Sequence, residues 1–422
     1  METDSKIKNF FLIISWALYD LANQFFALNI VTLYFVRWLV LEKKSPEILY
    51  GLSFGISTFF IAVSAPILGV ISDITGRRKS FLIYLTLLSI IFTMLLGIKD
   101  NILLSLIFFG IANFGCQTAI VFYNSLMINI APKNRIGLIS GLGKAFGYSG
   151  AILALYLIKP VVLKSGYQAT FLPTGILFLI FSLPCLVFIK DRQTTAKINL
   201  IYFLKKDRIV QTFKTLKKTA FDAHGSSGLL DFLKGSLFGL CAVNAVILFM
   251  SVYATKVFGL NETQVINLVG FSTFFAIAGS LVSGFLSDYI GHKRCLVAVF
   301  ILWSICFLGG AFVRSTSLYW LIGALVGVAL GSTWVVSRAL AISLIPEAKI
   351  GEVFGLFNLV GYISAILGAL FWGLILLLLS NLGEWGYRIA LLSLISFMAF
   401  GFIFILRLPT DRQVSPIIRK NK

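Results

Sequence analysis

Twelve apolar runs of roughly twenty residues each punctuate this chain of 422 residues. A helix needs about 20 apolar residues to cross a ~30 Å hydrocarbon core, so runs of this length point to one solvent. They lie near 10–36, 49–72, 80–98, 102–128, 138–162, 168–189, 229–257, 263–287, 295–313, 317–344, 353–380 and 387–406. The chain is 58% apolar and 13% charged, against about 45–50% and 25% in soluble proteins. That balance excludes a large soluble domain, a disordered chain and a disulfide scaffold. The expectation is an all-α integral membrane protein with twelve transmembrane helices.

The net charge of +19 is explained by sidedness. With the N-terminus in the cytoplasm, 25 of the 36 Lys and Arg residues fall on the cytoplasmic side and 9 on the other, while Lys144 and Arg338 lie within spans. Positive charge retained inside orients such chains. Both termini are therefore expected in the cytoplasm and the chain in the cell (inner) membrane. The basic segments meet anionic inner-leaflet lipids, and no nucleic-acid partner is expected. Met1 to Asn9 is polar, and the apolar run after it continues to about Leu41, too long for a signal-peptide core. Cys116, Cys185, Cys241, Cys295 and Cys306 lie in or beside apolar runs without a C-x-x-C pair, and read as small packing residues. His224 and His292 sit in polar connections. No metal site and no cofactor is expected.

The chain repeats itself. Gly69-Val70-Ile71-Ser72-Asp73-Ile74-Thr75-Gly76-Arg77-Arg78-Lys79 returns 215 residues later as Gly284-Phe285-Leu286-Ser287-Asp288-Tyr289-Ile290-Gly291-His292-Lys293-Arg294. Pro132, Gly137, Gly141, Gly147 and Tyr148 return at an offset of 214 as Pro346, Gly351, Gly355, Gly361 and Tyr362. Two stretches at nearly one offset imply two six-helix halves in parallel orientation, as in transporters with parallel repeats. The expected division is 1–189, a basic cytoplasmic linker at 190–228, and 229–422. In the linker, Leu200, Leu204, Phe213 and Leu216 stand among six Lys and Arg residues at roughly helical spacing, which predicts an amphipathic helix on the inner membrane surface.

The twice-occurring glycine–aspartate–basic loop resembles the signature of the major facilitator superfamily, although Ile74 and Tyr289 stand where its common pattern has an arginine. Trp16-Ala17-Leu18-Tyr19-Asp20-Leu21-Ala22-Asn23 resembles the opening of the autophagy-linked vacuolar effluxer-like branch. Phe122-Tyr123-Asn124 with Ala131-Pro132, Gly141 to Gly150, and Ser337-Arg338 through Pro346 to Phe354-Gly355-Leu356 agree with it. The resemblance covers most of the chain. It implies the major facilitator fold, two pseudo-symmetric six-helix bundles, and a solute exporter or uptake carrier. Fungal relatives of that branch are associated with amino-acid efflux. It also implies a conformational latch at Gly69, Asp73, Gly76, Arg77, Arg78, Gly284, Asp288, Gly291, Lys293 and Arg294, which biases one cavity-facing state over the other.

Asp20 is the one acidic residue deep in a span, about ten residues and ~15 Å into the first helix. A carboxylate at such depth faces a cavity or a partner. Trp16, Asp20, Asn23 and Ala27 share a helix face, and Asn113, Gln117 and Asn124 form a second polar stripe on the fourth helix. Either stripe lines a pathway or bonds helices together. The facilitator fold lines its cavity with helices one, four, seven and ten, which adds Asn244 and Arg338; Lys144 on helix five is a further candidate. Gly323, Gly327 and Gly331 predict close packing of helix ten.

No glycine-rich phosphate loop with its lysine is present, which argues against ATP-driven transport. No cluster of nucleophile, base or metal ligands lies in the spans, so an enzyme is not expected. The expectation is a monomeric secondary active transporter moving a small organic solute, amino-acid-like before others, by alternating access with proton coupling. A sodium-coupled sugar carrier, a lipid or drug-type carrier, and a non-transporting sensor or scaffold stay open.

Overall fold

The structure, a computed structural model, describes residues 2–98, 101–191 and 228–409, the side chains of residues 2–8, 47, 48, 262 and 316 excepted. The amphipathic helix expected in the linker falls on residues 192–227, outside the described residues.

Twelve helices among the described residues are long and apolar enough to cross a membrane. They are α1 (Glu2–Phe26), α2 (Glu47–Thr75), α3 (Arg78–Leu95), α4 (Ile102–Leu126), α5 (Ile136–Ser165) and α6 (Phe171–Phe188), followed by α7 (Leu229–Phe258), α8 (Glu262–Ile290), α9 (His292–Phe312), α10 (Thr316–Ser343), α11 (Ile350–Leu378) and α12 (Glu384–Leu406). The protein is a multi-pass integral membrane protein. Its surface agrees: Phe60 is 58% exposed, Phe274 63% and Leu370 65%, side chains that only hydrocarbon solvates without cost.

The first span departs from the plain helix its apolar run predicts. Beyond Phe26 it continues through wide π-type turns at Ala27–Leu33 and Trp38–Glu42, with one α turn at Tyr34–Arg37 between them. The β-branched Ile30-Val31-Thr32 run crowds an ordinary turn. Thr32 Oγ1 donates back five residues to the Ala27 carbonyl at 2.9 Å, which favours the wider winding. Asn29 is buried in this segment, with Nδ2 donating to Thr174 Oγ1 of α6 at 3.3 Å.

The chain divides into two compact units. The first comprises Met1–Lys133, Phe146–Leu216 and Glu347–Gly355, and the second Asn134–Ala145, Lys217–Pro346 and Leu356–Lys422. In the first unit α1 packs on α6, α2 on α4, and α3 on both α4 and α6. In the second, α7 packs on α12, α8 on α10, and α9 on both α10 and α12. The sequence repeat is thus a repeat of packing.

Glycines set the closest approaches. On α10, a Cβ at Gly327 or Gly331 would strike the carbonyls of Ser272 and Ala276 on α8, and one at Gly323 would lie 2.7 Å from Leu268 Cδ1. Only a bare backbone lets these helices meet.

Candidate functional site

The polar face of α1 is turned into the first unit. Trp16 Nε1 donates to the Tyr123 carbonyl of α4 at 3.0 Å, and the two rings stack with centroids 4.6 Å apart. Tyr19 also stacks on Tyr123, at 4.9 Å, and its hydroxyl lies 2.6 Å from Thr86 Oγ1 of α3. One turn on, Asn23 is buried and its Oδ1 accepts from Cys116 Sγ of α4 at 3.6 Å. The Nδ2 of Asn23 has no hydrogen-bond partner among the described residues.

Asp20 lies between these contacts and is only 4% exposed. It sits eleven residues past the start of the span at Asn9, about 16 Å along the helix. Glycine on α5 makes the room. A Cβ on Gly147 would touch the Asp20 carboxyl at 3.4 Å, and one on Gly150 would come within 2.6 Å of the Leu21 carbonyl. On α4, Asn113 is buried and donates from Nδ2 to Ser57 Oγ of α2 at 2.8 Å. Gln117 is half-buried and Asn124 buried, and the Oδ1 atoms of Asn113 and Asn124 accept nothing among the described residues. The structure therefore brings Asp20, Asn23, Asn113, Gln117 and Asn124 onto two helices of one unit.

Lys144, Asn244 and Arg338 belong to the second unit. Asn244 of α7 donates to Ser364 Oγ of α11 at 3.0 Å. Arg338 of α10 is buried, and Lys144 of α5 is half-buried. Among the described residues no three His, Cys, Asp or Glu side chains form a group that could hold a metal ion.

Several polar residues here escape a reading of the sequence. Tyr19, Thr86, Ser57 and Cys116 are common residues in apolar runs, and only Tyr123, beside Asn124, stood in a singled-out motif. Arg388 was not singled out either. It pairs with Glu384 at 2.6 Å and donates from Nη1 to the carbonyls of Ala311 and Val313, which end α9.

The two signature loops are built alike. Left-handed Gly76 (φ +65°) ends α2, and Gly291 (φ +98°) ends α8; L side chains avoid that region, which explains glycine at both places. Asp73 accepts the N–H groups of Gly351 (3.0 Å) and Glu352 (2.9 Å), and Asp288 those of Gly137 (2.7 Å) and Leu138 (2.8 Å). Each carboxylate meets the first turn of a helix, α11 or α5, where orphan N–H groups and the helix dipole favour negative charge. A Cβ on Gly351 would lie 2.8 Å from the Gly69 carbonyl, and one on Gly284 would lie 2.6 Å from that of Gly137.

The basic residues diverge. Arg78 donates to Asp73 from Nε (3.0 Å) and Nη2 (2.6 Å), and also to the Glu347 carbonyl at 2.9 Å. Lys293 instead donates to the carbonyls of Leu406 and Leu408 at the end of α12. Arg77 and Arg294 are exposed. Outside the spans, Asp191 accepts the Lys79 N–H at 2.9 Å, and burial lifts its carboxyl above the usual aspartate value.

Comparison with known proteins agrees with this architecture. The family model described as Major Facilitator Superfamily matches residues 12–369 and 233–422. An uncharacterized protein of Aquifex aeolicus (strain VF5) is 27% identical over 402 residues, covering 94% of this chain and 97% of that one. The uncharacterized MFS-type transporter YxiO of Bacillus subtilis (strain 168) is 25% identical over 379 residues, covering 84% and 86%. Among solved structures, the proton:xylose symporter XylE bound to 6-bromo-6-deoxy-D-glucose has the same fold, with a TM-score of 0.72 at 14% identity over 98% of this chain and 99% of that one. With twelve spanning helices in repeated packing and a family model that runs through both halves, the chain belongs to the Major Facilitator Superfamily of transporters.

Proposed function

We propose that this transporter is secondary active, that it moves a small, amino-acid-like organic solute by alternating access, and that protons drive it through Asp20. The observation that carries the reading is the burial of a single mid-span carboxyl at a place emptied of side chains by Gly147 and Gly150. An acidic group held there has no packing purpose that an asparagine would not serve, and it can take up and release a proton as the packing around it changes. Asn23, Asn113, Gln117 and Asn124 offer neutral donors and acceptors for a polar solute beside it. Lys144, Asn244 and Arg338 are the contributions of the second unit, Arg338 being suited to an anionic group.

In this reading the halves 1–189 and 229–422 rock about a midplane site. The Asp73 and Asp288 loops are the latches of the cytoplasmic side, with Arg78 as the cation of the first. The chain sits as a monomer in the cell membrane with both termini inside, its basic linker on anionic lipids.

Solute uptake and counterflow in proteoliposomes, screening amino acids with and without an imposed pH gradient, tests the proposal. The expected result is uptake accelerated by the gradient, and in Asp20→Asn retained counterflow without acceleration. Full proton coupling in Asp20→Asn overturns the role of Asp20, and acceleration by sodium alone overturns the proton.

A further inference from the structure

Between α2 and α4 of the first unit runs an open groove of about 620 Å³. Its walls include Leu52, Ile56 and Phe60 of α2 and Leu103, Ile107 and Phe114 of α4. The groove has the size of a small-molecule site, with room for about twenty water-sized groups at ~30 Å³ each. Two serines line it, but neither offers a free hydroxyl. Ser53 Oγ donates to the Leu106 carbonyl at 2.7 Å. Ser57 Oγ donates to the Phe54 carbonyl at 2.9 Å and accepts from Asn113 at 2.8 Å. A surface of this kind suits hydrocarbon and repels water.

The groove is not a by-product of tight packing. Gly110 lines it, and a Cβ there would meet Ser53 Oγ at 3.5 Å and Ser57 Cβ at 4.0 Å, ordinary contacts, while its backbone angle needs no glycine. Alanine in a helix is better than glycine by about 1 kcal/mol. The chain forgoes that gain and keeps the space.

The α4 wall leads to the polar stripe. Leu103, Ile107, Gly110, Phe114 and Gln117 follow i, i+4, i+7, i+11 and i+14, one helix face. Gln117 is about 10 Å along the axis from Gly110, and Asn124 about 10 Å further on the same face. A ligand that lies along this face meets apolar surface first and amide groups next.

We infer that the transported solute is amphipathic, with a hydrocarbon part seated in the α2–α4 groove and a polar head at the Gln117–Asn124 end of α4. This deepens the proposed function and rests on it for the head group only. It selects an apolar amino-acid-like solute over a sugar, which has no hydrocarbon part to place there.

Binding of straight-chain 2-amino acids, from alanine to 2-aminodecanoic acid, to the protein in nanodiscs tests the inference. Affinity is expected to rise about threefold to fourfold per methylene, as for burial of a CH₂ group. Gly110→Leu, which fills the groove, should flatten this slope, and Phe114→Ala, which widens it, should carry the rise to longer chains. The same slope in wild type and both variants overturns the groove as the seat. Should no amino acid bind the wild type, the head-group reading fails and the groove is judged by stabilisation with 1-decanol. A thermal shift that is smaller in Gly110→Leu sustains it; equal shifts overturn it. A phospholipid that co-purifies with the wild type and is lost in Gly110→Leu, without any chain-length slope, also overturns it, because the groove then belongs to the bilayer.

Discussion

Asp73 and Asp288 stand 215 residues apart, and each accepts two backbone N–H groups at the start of a helix. Among the described residues, Asp73 alone of the two also holds a guanidinium, that of Arg78. At the position equivalent to Arg78, Lys293 is drawn away to the carbonyls that end α12. One step earlier, where the first loop has exposed Arg77, the second has buried His292, whose Nδ1 lies 2.6 Å from Ser287 Oγ. The shared part of the device is therefore the carboxylate on a helix start. The ion pair is an addition to one copy. A duplicated motif can keep its backbone chemistry while its charges take different tasks, and the two loops need not release with equal ease.

The largest effect should come from removing the carboxylates. Asp73→Ala leaves two amides and a largely buried guanidinium without their acceptor. Breaking such a pair costs about 3–5 kcal/mol, whereas Asp288→Ala loses a helix cap, about 0.5–2 kcal/mol. Thermal unfolding of the purified protein should show Asp73→Ala as clearly the less stable, with part of the loss recovered in Asp73→Ala/Arg78→Ala. Equal losses in the two loops would mean that Arg78 adds nothing to its copy.

A smaller and symmetrical effect is expected at the glycines facing the carboxylates. In Gly351→Ala the new Cβ meets Ser72 Oγ at 2.7 Å and the Gly69 carbonyl at 2.8 Å; in Gly137→Ala it meets the Gly284 carbonyl at 2.5 Å and Asp288 Oδ1 at 2.9 Å. Overpacking of this kind costs about 1–3 kcal/mol. Similar destabilisation in both variants would confirm close backbone approach as the common element. A marked difference, measured in the same unfolding assay, would make even the backbone part unequal.

The sequence announces this device unevenly, for physical reasons. The aspartates and glycines show through the repeat, because each is the residue type its place demands. Their partners do not: Gly351 and Glu352 offer only backbone N–H groups, which leave no mark on residue identity, and they lie 278 and 279 residues from Asp73. The arginine usual after the aspartate is absent, yet Ile74 and Tyr289 are 45% and 81% exposed, so a side chain there points away from the carboxylate. Arg78, further along the loop, supplies the cation. Elsewhere the twelve spans were legible because bilayer thickness fixes the length of an apolar run. The π-type turns after Phe26 were not, since a wide turn and an ordinary one bury the same residue types. Asp20 stood out through the rarity of a mid-span carboxylate, but its neighbours Tyr19, Thr86 and Cys116 are unremarkable in a membrane helix.

The smallest expected difference lies just outside the spans and belongs to the first copy alone. Lys79 donates its N–H to both carboxylate oxygens of Asp191, at 2.9 and 3.1 Å, and its Nζ to the Val187 carbonyl at 2.9 Å. Burial raises the pKa of Asp191 above the ordinary aspartate value, and the Lys79 N–H together with the Arg78 and Lys79 charges only partly opposes it. The folded protein then holds this proton to higher pH than the unfolded chain does. The stability linked to it is fully present below the ordinary value and is lost as pH rises through the raised one. The second copy has Leu406 at the matching offset of 215 residues, and Lys293 takes only carbonyls there. Asp191→Asn should therefore flatten the pH dependence of unfolding in the mildly acidic window between those two values. Lys293→Gln should lower stability by a similar amount at every pH. If Asp191→Asn left the slope unchanged, the capping carboxyl would be solvated like any surface aspartate, and the first copy would differ from the second by its ion pair alone.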